Sequence, residues 1–317
     1  MTYWQFVIRR FLSNKLGITG LYMVLVLIFI ALFSPFLAND KPIICVIDGN
    51  IYLPIIYPPR ELDFSKASFK IMPPIQKNPY KIDLNKKLLP PSPEHPFGTD
   101  DLGRDVLARM IHGTAISISV GVVAAGTAFL IGTTLGLIAG YFRGIVDTII
   151  MKTIEVFMTF PTIFLILTIL AFLPPNIYNI MFVIGLTGWT GVARLVRGET
   201  LKVVNMDYVK ISLITGANNF YIITRHVLPN AINTALVSLI FGISGAILVE
   251  SSLSFLGLGV QPPTPSWGNI LLAGNQYIDY AWWLAVFPGI AIFLTVTSLN
   301  LLGEALRDAM DPRVYME

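Results

Sequence analysis

The sequence predicts an all-α membrane protein with six transmembrane helices and an irregular insert after the first helix. Hydrophobic residues make up 54% of the 317 residues and charged residues only 13%, a balance that a single soluble core cannot bury. Six apolar segments reach the length of about 20 residues with which a helix crosses the hydrocarbon of a bilayer. These segments are residues 16–38, 114–140, 149–173, 177–197, 231–256 and 283–303.

The first apolar segment is predicted to be a membrane helix that stays in the protein. Its apolar run is longer than the roughly 7 to 15 residues of a signal-peptide core, and no A-x-A cleavage site follows it. The pair Arg9-Arg10 is similar to a twin-arginine address, but paired basic residues before a long span also orient that span. We therefore expect a membrane anchor.

The basic residues predict which ends of the spans face the cytoplasm. Cytoplasmic loops carry an excess of Lys and Arg, whereas the loops at 174–176 and 257–282 contain neither. Both termini and a loop at 205–230 are therefore predicted to be cytoplasmic, and the net charge of +3 gives no indication of nucleic-acid binding. The basic residues on the predicted cytoplasmic side are Arg9, Arg10, Lys15, Arg143, Lys152, Arg194, Arg197, Lys202, Lys210, Arg225, Arg307 and Arg313.

Three regions follow: residues 1–38 with the first helix, an extracytoplasmic insert at 39–113, and a five-helix core at 114–317. The insert holds 11 of the 21 prolines, and prolines at this density exclude long helices. Its short runs 43–47 and 51–56 are candidate strands. Recurring Ile, Tyr and Phe favour a small folded subdomain, and a flexible proline-rich spacer is the alternative.

The end of the insert is predicted to form a short helix on the outer membrane surface. Thr99 or Asp100 can cap its first turn, and Leu102, Val106 and Met110 would share one face. A helix with such an apolar face lies in the plane of the membrane surface.

Neither a metal site nor a disulfide is predicted in the insert. His95 has Asp residues nearby, but the three histidines are scattered and the sequence has no H-E-x-x-H or paired-Cys spacing. Cys45 is the single cysteine, which excludes a disulfide within the chain.

A polar segment between the fourth and fifth spans has the helix start and stop residues of a compact helical loop. Asp207 is predicted to cap a helix over 208–215 by accepting bonds from backbone N–H groups. Gly216 is predicted to end this helix in a left-handed conformation.

A second helical turn is predicted to follow within the same loop. It restarts after Asn218 or Asn219 and ends at Leu228, because Pro229 disfavours helical geometry in the residue before it. The result is a small knob outside the membrane.

This loop resembles the cytoplasmic loop of ABC-importer permeases, whose pattern is Glu-Ala-Ala, three residues, Gly, nine residues, Ile, one residue, Leu-Pro. Gly216, Leu228 and Pro229 fall at the matching spacing. Four residues differ from this pattern, and in these differences the loop resembles the C-type permease branch that imports oligopeptides, dipeptides or nickel. They are Lys210, Ile211 and Ser212 at the Glu-Ala-Ala positions and His226 at the Ile position.

Further motifs carry the same resemblance from about residue 90 to the C-terminus, and the proline-rich insert is the part that it explains least. They are His95–Asp105, Gly140–Gly144 with Asp147, Phe160-Pro161, Gly188–Thr190 with Arg194, Arg197 and Glu199, Glu250–Gly259, Pro262–Gly268, Asn300–Gly303, Arg307-Asp308 and Asp311–Arg313.

The resemblance implies the six-helix fold of type I ABC importers and a multi-pass protein of the cytoplasmic (inner) membrane. The implied partners are a homologous second permease, two ABC ATPases, an extracytoplasmic solute-binding protein and the lipid membrane. The sequence contains no G-x-x-x-x-G-K-[ST] phosphate loop, so ATP and Mg are expected in the ATPase subunits and no cofactor in this chain.

Residues 205–230 are then the implied ATPase-coupling loop, in which ATP-driven closure of the ATPases moves the knob as a lever. The resemblance implies that the ATPases contact this loop and move it as a rigid body. Its candidate residues are Asp207, Tyr208, Lys210, Ser212, Gly216, Ala217, Arg225, His226, Leu228 and Pro229.

Glu250, with Ser251 and Ser254, is a candidate for the pathway or gate. An ionised carboxylate inside a span costs about 2.5 to 3.5 kcal/mol on insertion scales, so Glu250 is expected to face either a wet path or a partner on a neighbouring helix. Arg194 and Arg197 have two interpretations, contact with an ATPase or with lipid phosphates.

Two outer features complete the predicted site. Trp282 and Trp283 are expected to be interfacial anchors. The Pro- and Gly-rich segment from Gly257 to Trp267 is expected to form an irregular turn that can shape a gate.

The predicted function is passage of cargo and coupling to ATP, with no covalent chemistry, because no His, Cys or acidic cluster has nucleophile or ligand spacing. Peptides are the first choice of cargo, with dipeptide against oligopeptide open and nickel as the alternative. The rival functions are a stand-alone secondary carrier or channel, for which no inverted repeat is evident, and a membrane scaffold or sensor.

Overall fold

The computed structural model describes residues 3–57 and 63–310 and is mainly helical. The helices are α1 (Tyr3–Ser13), α2 (Lys15–Leu37), α3 (Val106–Phe142), α4 (Gly144–Thr159), α5 (Thr162–Ala171), α6 (Ile177–Val204), α7 (Asp207–Ile214), α8 (Asn219–Ile222), α9 (Leu228–Phe255), α10 (Trp267–Gln276) and α11 (Trp283–Ala309). The strands are β1 (Ile44–Ile47), β2 (Asn50–Tyr52) and β3 (Phe69–Ile71).

Within the described residues, five helical stretches are long and apolar enough to cross a membrane: α2, α3, α6, Asn219–Phe255 and α11. Helices α4 and α5 make a sixth span only if the pair is counted as one, since they are bent by 85° at a short break. The all-α membrane fold is thus confirmed. The span predicted at 149–173 is broken in the structure, because Pro161 holds Phe160 in an extended conformation and ends α4.

The chain divides into two compact units. The first consists of Met1–Val24, Val120–Val249 and Thr295–Glu317, and the second of Leu25–Ser119 and Glu250–Leu294. The first unit contains the 205–230 loop. The second contains the insert, Glu250 and α10.

Close packing of α3 on α6 supports the 205–230 loop in the first unit. Gly132, Gly136 and Gly140 lie one turn apart along α3, and a Cβ at any of them would come within 2.7 Å of a backbone or side-chain atom of α6. Small residues at this spacing allow two membrane helices to approach closely. Helix α6 runs directly to the loop, so this contact fixes where the loop begins.

The insert is folded where the structure describes it, which agrees with the predicted subdomain and disfavours a spacer. Its strands form an antiparallel sheet in the order β2-β1-β3, and Cys45 in β1 is buried. The β1–β2 connection is the pair Asp48-Gly49, both at positive φ, which is the preferred sequence of a two-residue hairpin turn. The 43–47 prediction matches β1 closely, whereas β2 covers only the start of 51–56.

The junction between the insert and α3 differs from the prediction. Helix α3 begins at Val106, eight residues before the predicted span, and Asp105 caps it by accepting a bond from Ala108 N at 2.8 Å. Thr99 and Asp100 therefore cap no separate surface helix. Asp100 instead accepts bonds from the backbone of two residues that follow it, which folds the segment into a tight turn.

The outer tryptophans have different environments. Trp282 is half exposed, but Trp283 is buried and its indole Nε1 donates to Thr99 O at 3.0 Å. The predicted anchor role is therefore wrong for Trp283, which instead ties the start of α11 to the end of the insert. The turn after Gly257 leads into α10, a helix absent from the prediction, whose first turn is closed by a capping box between Ser266 and Asn269.

Candidate functional site: the 205–230 loop and the Glu250 cluster

The loop starts with helix α7, which lacks the predicted cap. The residue at the capping position is Met206, and Asp207 is the first residue of the helix, with an exposed side chain. The cap predicted for Asp207 is therefore wrong. A carboxylate in the first turn still interacts favourably with the helix dipole, and Lys210 Nζ lies 3.9 Å from this carboxylate.

The end of α7 is as predicted. Gly216 has φ +85°, and two bonds close the terminus, from Gly216 N to Leu213 O and from Ala217 N to Ser212 O, both at 3.1 Å. This pair of bonds is the Schellman motif that ends a helix at a left-handed glycine. The chain consequently turns sharply at the base of α7.

The second half of the loop continues into the fifth span without a stop. The Asn218 side chain caps α8 by accepting a bond from Tyr221 N at 2.7 Å, and a π-helical turn over Ile223–Val227 follows. Leu228 is helical and donates to Ile223 O. The predicted end at Leu228 is therefore wrong, because the wider π-turn accommodates the ring and missing N–H of Pro229 at the start of α9.

Apolar side chains hold the loop to the ends of the spans. Val209, Ile222 and Val227 are fully buried in one cluster with Val196 and Val203 of α6. Ala217 and Leu228 pack against the same cluster. Each half of the loop therefore has a buried anchor. The loop forms one packed body with the end of α6 that is predicted to face the cytoplasm.

His226 is the polar centre of the loop. Its Nε2 lies 3.3 Å from Ser212 Oγ, and its ring is 5.7 Å from each of the rings of Tyr208 and Tyr221. Asn230 donates to Tyr208 Oη at 3.2 Å and to His226 O at 2.6 Å. Partial burial raises the pKa of the Tyr208 phenol, an effect that the Asn230 hydrogen bond opposes. These contacts tie α7 to the π-turn.

Part of the surface of the loop is apolar and exposed. Ile211, Ile214 and Phe220 are 60%, 85% and 76% exposed. Arg225 is also exposed. Thus the structure gathers the candidate residues into one element with a packed base and an uncovered apolar face.

Arg197 forms an intramolecular ion pair. Its guanidinium bonds both carboxylate oxygens of Asp147 in α4, with Nη2 to Oδ2 at 2.6 Å. Arg197 therefore has an ion-pair partner within the chain, and its contact with an ATPase or with lipid phosphates stays a prediction. Arg194 is exposed, and its Nη1 lies 3.2 Å from Met158 Sδ.

Glu250 lies near the end of α9 and is fully buried in the second unit. Its Oε1 accepts a bond from Ser254 Oγ at 2.7 Å. The hydroxyls of Ser266, Ser251 and Ser117 lie near the carboxyl, but Glu250 Oε2 and Ser251 Oγ are buried without a hydrogen-bond partner. Hydroxyls from α3, α9 and the cap of α10 thus meet at one acid. The geometry favours the packing interpretation of Glu250, and its role in a path stays a prediction.

The comparisons with known proteins agree with the resemblance of the motifs. Residues 132–315 match the family model of the binding-protein-dependent transport system inner membrane component. The chain belongs to this family. Residues 2–91 match the model of the N-terminal TM domain of oligopeptide transport permease C, so both parts of this permease are recognised.

Named relatives align along most of the permease. It is 36% identical to the dipeptide transport system permease protein DppC of Bacillus subtilis, over 99% of this chain and 87% of that protein. It is 41% identical to the glutathione transport system permease protein GsiD of Pectobacterium atrosepticum, over 71% of this chain and 74% of that protein. The predicted membership of an ABC-importer permease branch is confirmed.

A solved structure shows the same fold. The inward-facing MetNI methionine ABC transporter, in its native crystal form, superposes with a TM-score of 0.53 at 17% identity, over 65% of this permease and 97% of that chain. As a family member the permease is a multi-pass inner-membrane transport subunit that works with a binding protein and an ATPase.

Proposed function

We propose that this permease forms half of the translocation path of an ATP-driven peptide importer and that its 205–230 loop couples the path to the ATPases. The permease relatives are named for dipeptide, oligopeptide and glutathione transport, which supports di- or oligopeptides as cargo. These names do not favour the nickel alternative. The chain itself would carry out no covalent chemistry.

The observation that carries this proposal is the exposed apolar face of the loop on its packed base. Exposed apolar side chains that lie together mark a protein-interaction surface. The base is stiff, because buried Val209, Ile222 and Val227 anchor both halves of the loop. A partner that binds Ile214 and Phe220 would therefore move the ends of the spans with the loop.

The proposed assembly contains this permease, a homologous second permease, two ABC ATPases and an extracytoplasmic solute-binding protein. ATP and Mg would be bound by the ATPases. In the proposed orientation both termini and the loop face the cytoplasm, in accord with the basic residues on that side.

The substitution Ile214→Glu tests the docking surface. This change replaces an apolar side chain of the proposed interface with a charge. Loss of such a side chain is expected to cost about 2 kcal/mol or more of binding free energy. The amount of ATPase recovered with the purified permease should therefore fall at least about tenfold. The control is Ile82→Glu in the insert, where the native side chain is 55% exposed. Full recovery of the ATPases with Ile214→Glu would contradict the proposed docking surface.

A further inference from the structure

The second unit holds a cavity of about 220 Å³ beside the turn that leads into α3. One wall is basic and is formed by Arg104 and Arg109. Apolar side chains, among them Leu102, Val260 and Leu272, form much of the rest. This volume exceeds that of one water, which is about 30 Å³, several times over.

The two arginines share one buried carboxylate. Arg104 Nε donates to Asp100 Oδ2 at 2.7 Å, and Arg109 Nε lies 3.3 Å from the same oxygen without hydrogen-bond geometry. The other acid in this cluster is Asp101, which lies 3.9 Å from Arg104 Nη2 and whose side chain is 33% exposed. Since buried charges are normally paired, one guanidinium lacks a buried anion of its own.

Donors of both guanidiniums are left over at the cavity. In the described part of the chain, the terminal nitrogens of Arg104 make no hydrogen bond, and those of Arg109 make two long ones, to Pro79 O at 3.4 Å and Asn269 Oδ1 at 3.5 Å. Arg109 is itself 3% exposed. The cavity thus offers donors from two buried cations, and the acidic side chain in its lining is the partly exposed Asp101, 3.9 Å from Arg104.

We propose that this cavity binds the C-terminal carboxylate of the transported peptide, with Arg104 and Arg109 as its ligands. A guanidinium presents two parallel N–H groups that match a carboxylate. The apolar wall accommodates the last side chain of the peptide, and Asp101 is exposed enough to turn towards solvent. This assignment rests on the proposed peptide cargo.

The test compares alanyl-leucine with its C-terminal amide in proteoliposomes that contain the whole importer. The solute-binding protein has its own selectivity, but it is identical in wild-type and variant importers. The ratio of initial uptake rates, acid over amide, therefore isolates the permease. We expect Arg104→Gln to lower this ratio about tenfold relative to wild type, and Lys86→Gln, which removes the outer ion pair with Glu94, to leave it unchanged.

A second measurement uses the wild-type importer without its binding protein. N-acetyl-leucine should raise the thermal midpoint of the importer, and N-acetyl-leucine amide should not, which tests the site even where the variant misfolds. An unchanged acid-to-amide ratio in Arg104→Gln, or an equal effect of both probes on the wild type, would overturn the assignment. Equal loss of acid and amide uptake, together with lost stimulation of ATP hydrolysis by the binding protein, would instead assign the arginines to a partner's acidic side chain.

Failure of the peptide cargo itself has a different signature. In that case the wild-type importer takes up neither peptide, whereas the N-acetyl-leucine measurement still reports whether the cavity binds a carboxylate.

Discussion

Replacement of Gly216 tests whether the 205–230 loop must keep its sharp turn. Gly216 has φ +85°, and a Cβ built there meets no atom within 4 Å. The cost of a side chain is therefore conformational and not steric. A non-glycine residue pays about 1 to 2 kcal/mol in the left-handed region, and a β-branched one is least suited to it.

A strain of about 2 kcal/mol lowers the population of the native turn about thirtyfold relative to other conformations of the loop. We expect Gly216→Val to insert normally but to lose most ATP-driven uptake, with Gly216→Asn close to wild type because Asn tolerates this conformation. Uptake and ATP hydrolysis are measured in the same proteoliposomes. An uncoupled importer hydrolyses ATP without uptake.

The matched control is Gly49→Val in the insert. Gly49 also has positive φ, +76°, and open space around its Cβ position, so the same backbone cost falls outside the loop. It should lower local stability and leave coupling intact. Wild-type uptake by Gly216→Val, or an equal loss in Gly49→Val, would refute the reasoning.

Two predictions concern the spans. Gly136→Leu should destabilise the permease by about 1 to 3 kcal/mol, since its Cβ would lie 2.6 Å from Ala193 O; Gly126→Leu on the same helix, with no atom within 4 Å, is the control in thermal unfolding. Glu250→Leu should cost about 1 to 3 kcal/mol because the buried Ser254 hydroxyl loses its acceptor, and Glu250→Gln should cost less. If Glu250→Gln folds normally but abolishes uptake, the acid has a role in the path beyond packing.

The turn chemistry of the loop was predictable where one residue decides the outcome. Gly216 is a strong stop because glycine adopts its left-handed conformation without strain, and Asn218 caps α8 through its own side chain. The cap predicted for Asp207 is wrong because cap preference is only a local propensity. The structure begins α7 at Asp207 itself, with Val209 buried in its first turn. The π-turn before Pro229, in which Val227 is buried, has no signal in the sequence pattern.

The outer part of the chain shows two kinds of omission. The capping box of Ser266 and Asn269 and the hairpin pair Asp48-Gly49 are local signals that the sequence does carry. The Arg104–Asp100–Arg109 cluster was not accessible in the same way. Its charge imbalance depends on which of several nearby acids is buried beside each arginine, and tertiary packing decides that.

The bend between α4 and α5 lies between these cases. The pair Phe160-Pro161 marks a common helix boundary, but a proline inside a membrane span can also produce only a kink. The sequence predicts the place of the break, and its angle of 85° is not encoded in this local signal.

The central claim is best tested by uptake of a labelled dipeptide into proteoliposomes that contain the purified importer. Uptake that requires ATP, the solute-binding protein and this chain together, and that no ion gradient replaces, is the predicted result. Gradient-driven uptake by this chain alone would contradict the account and identify a secondary carrier.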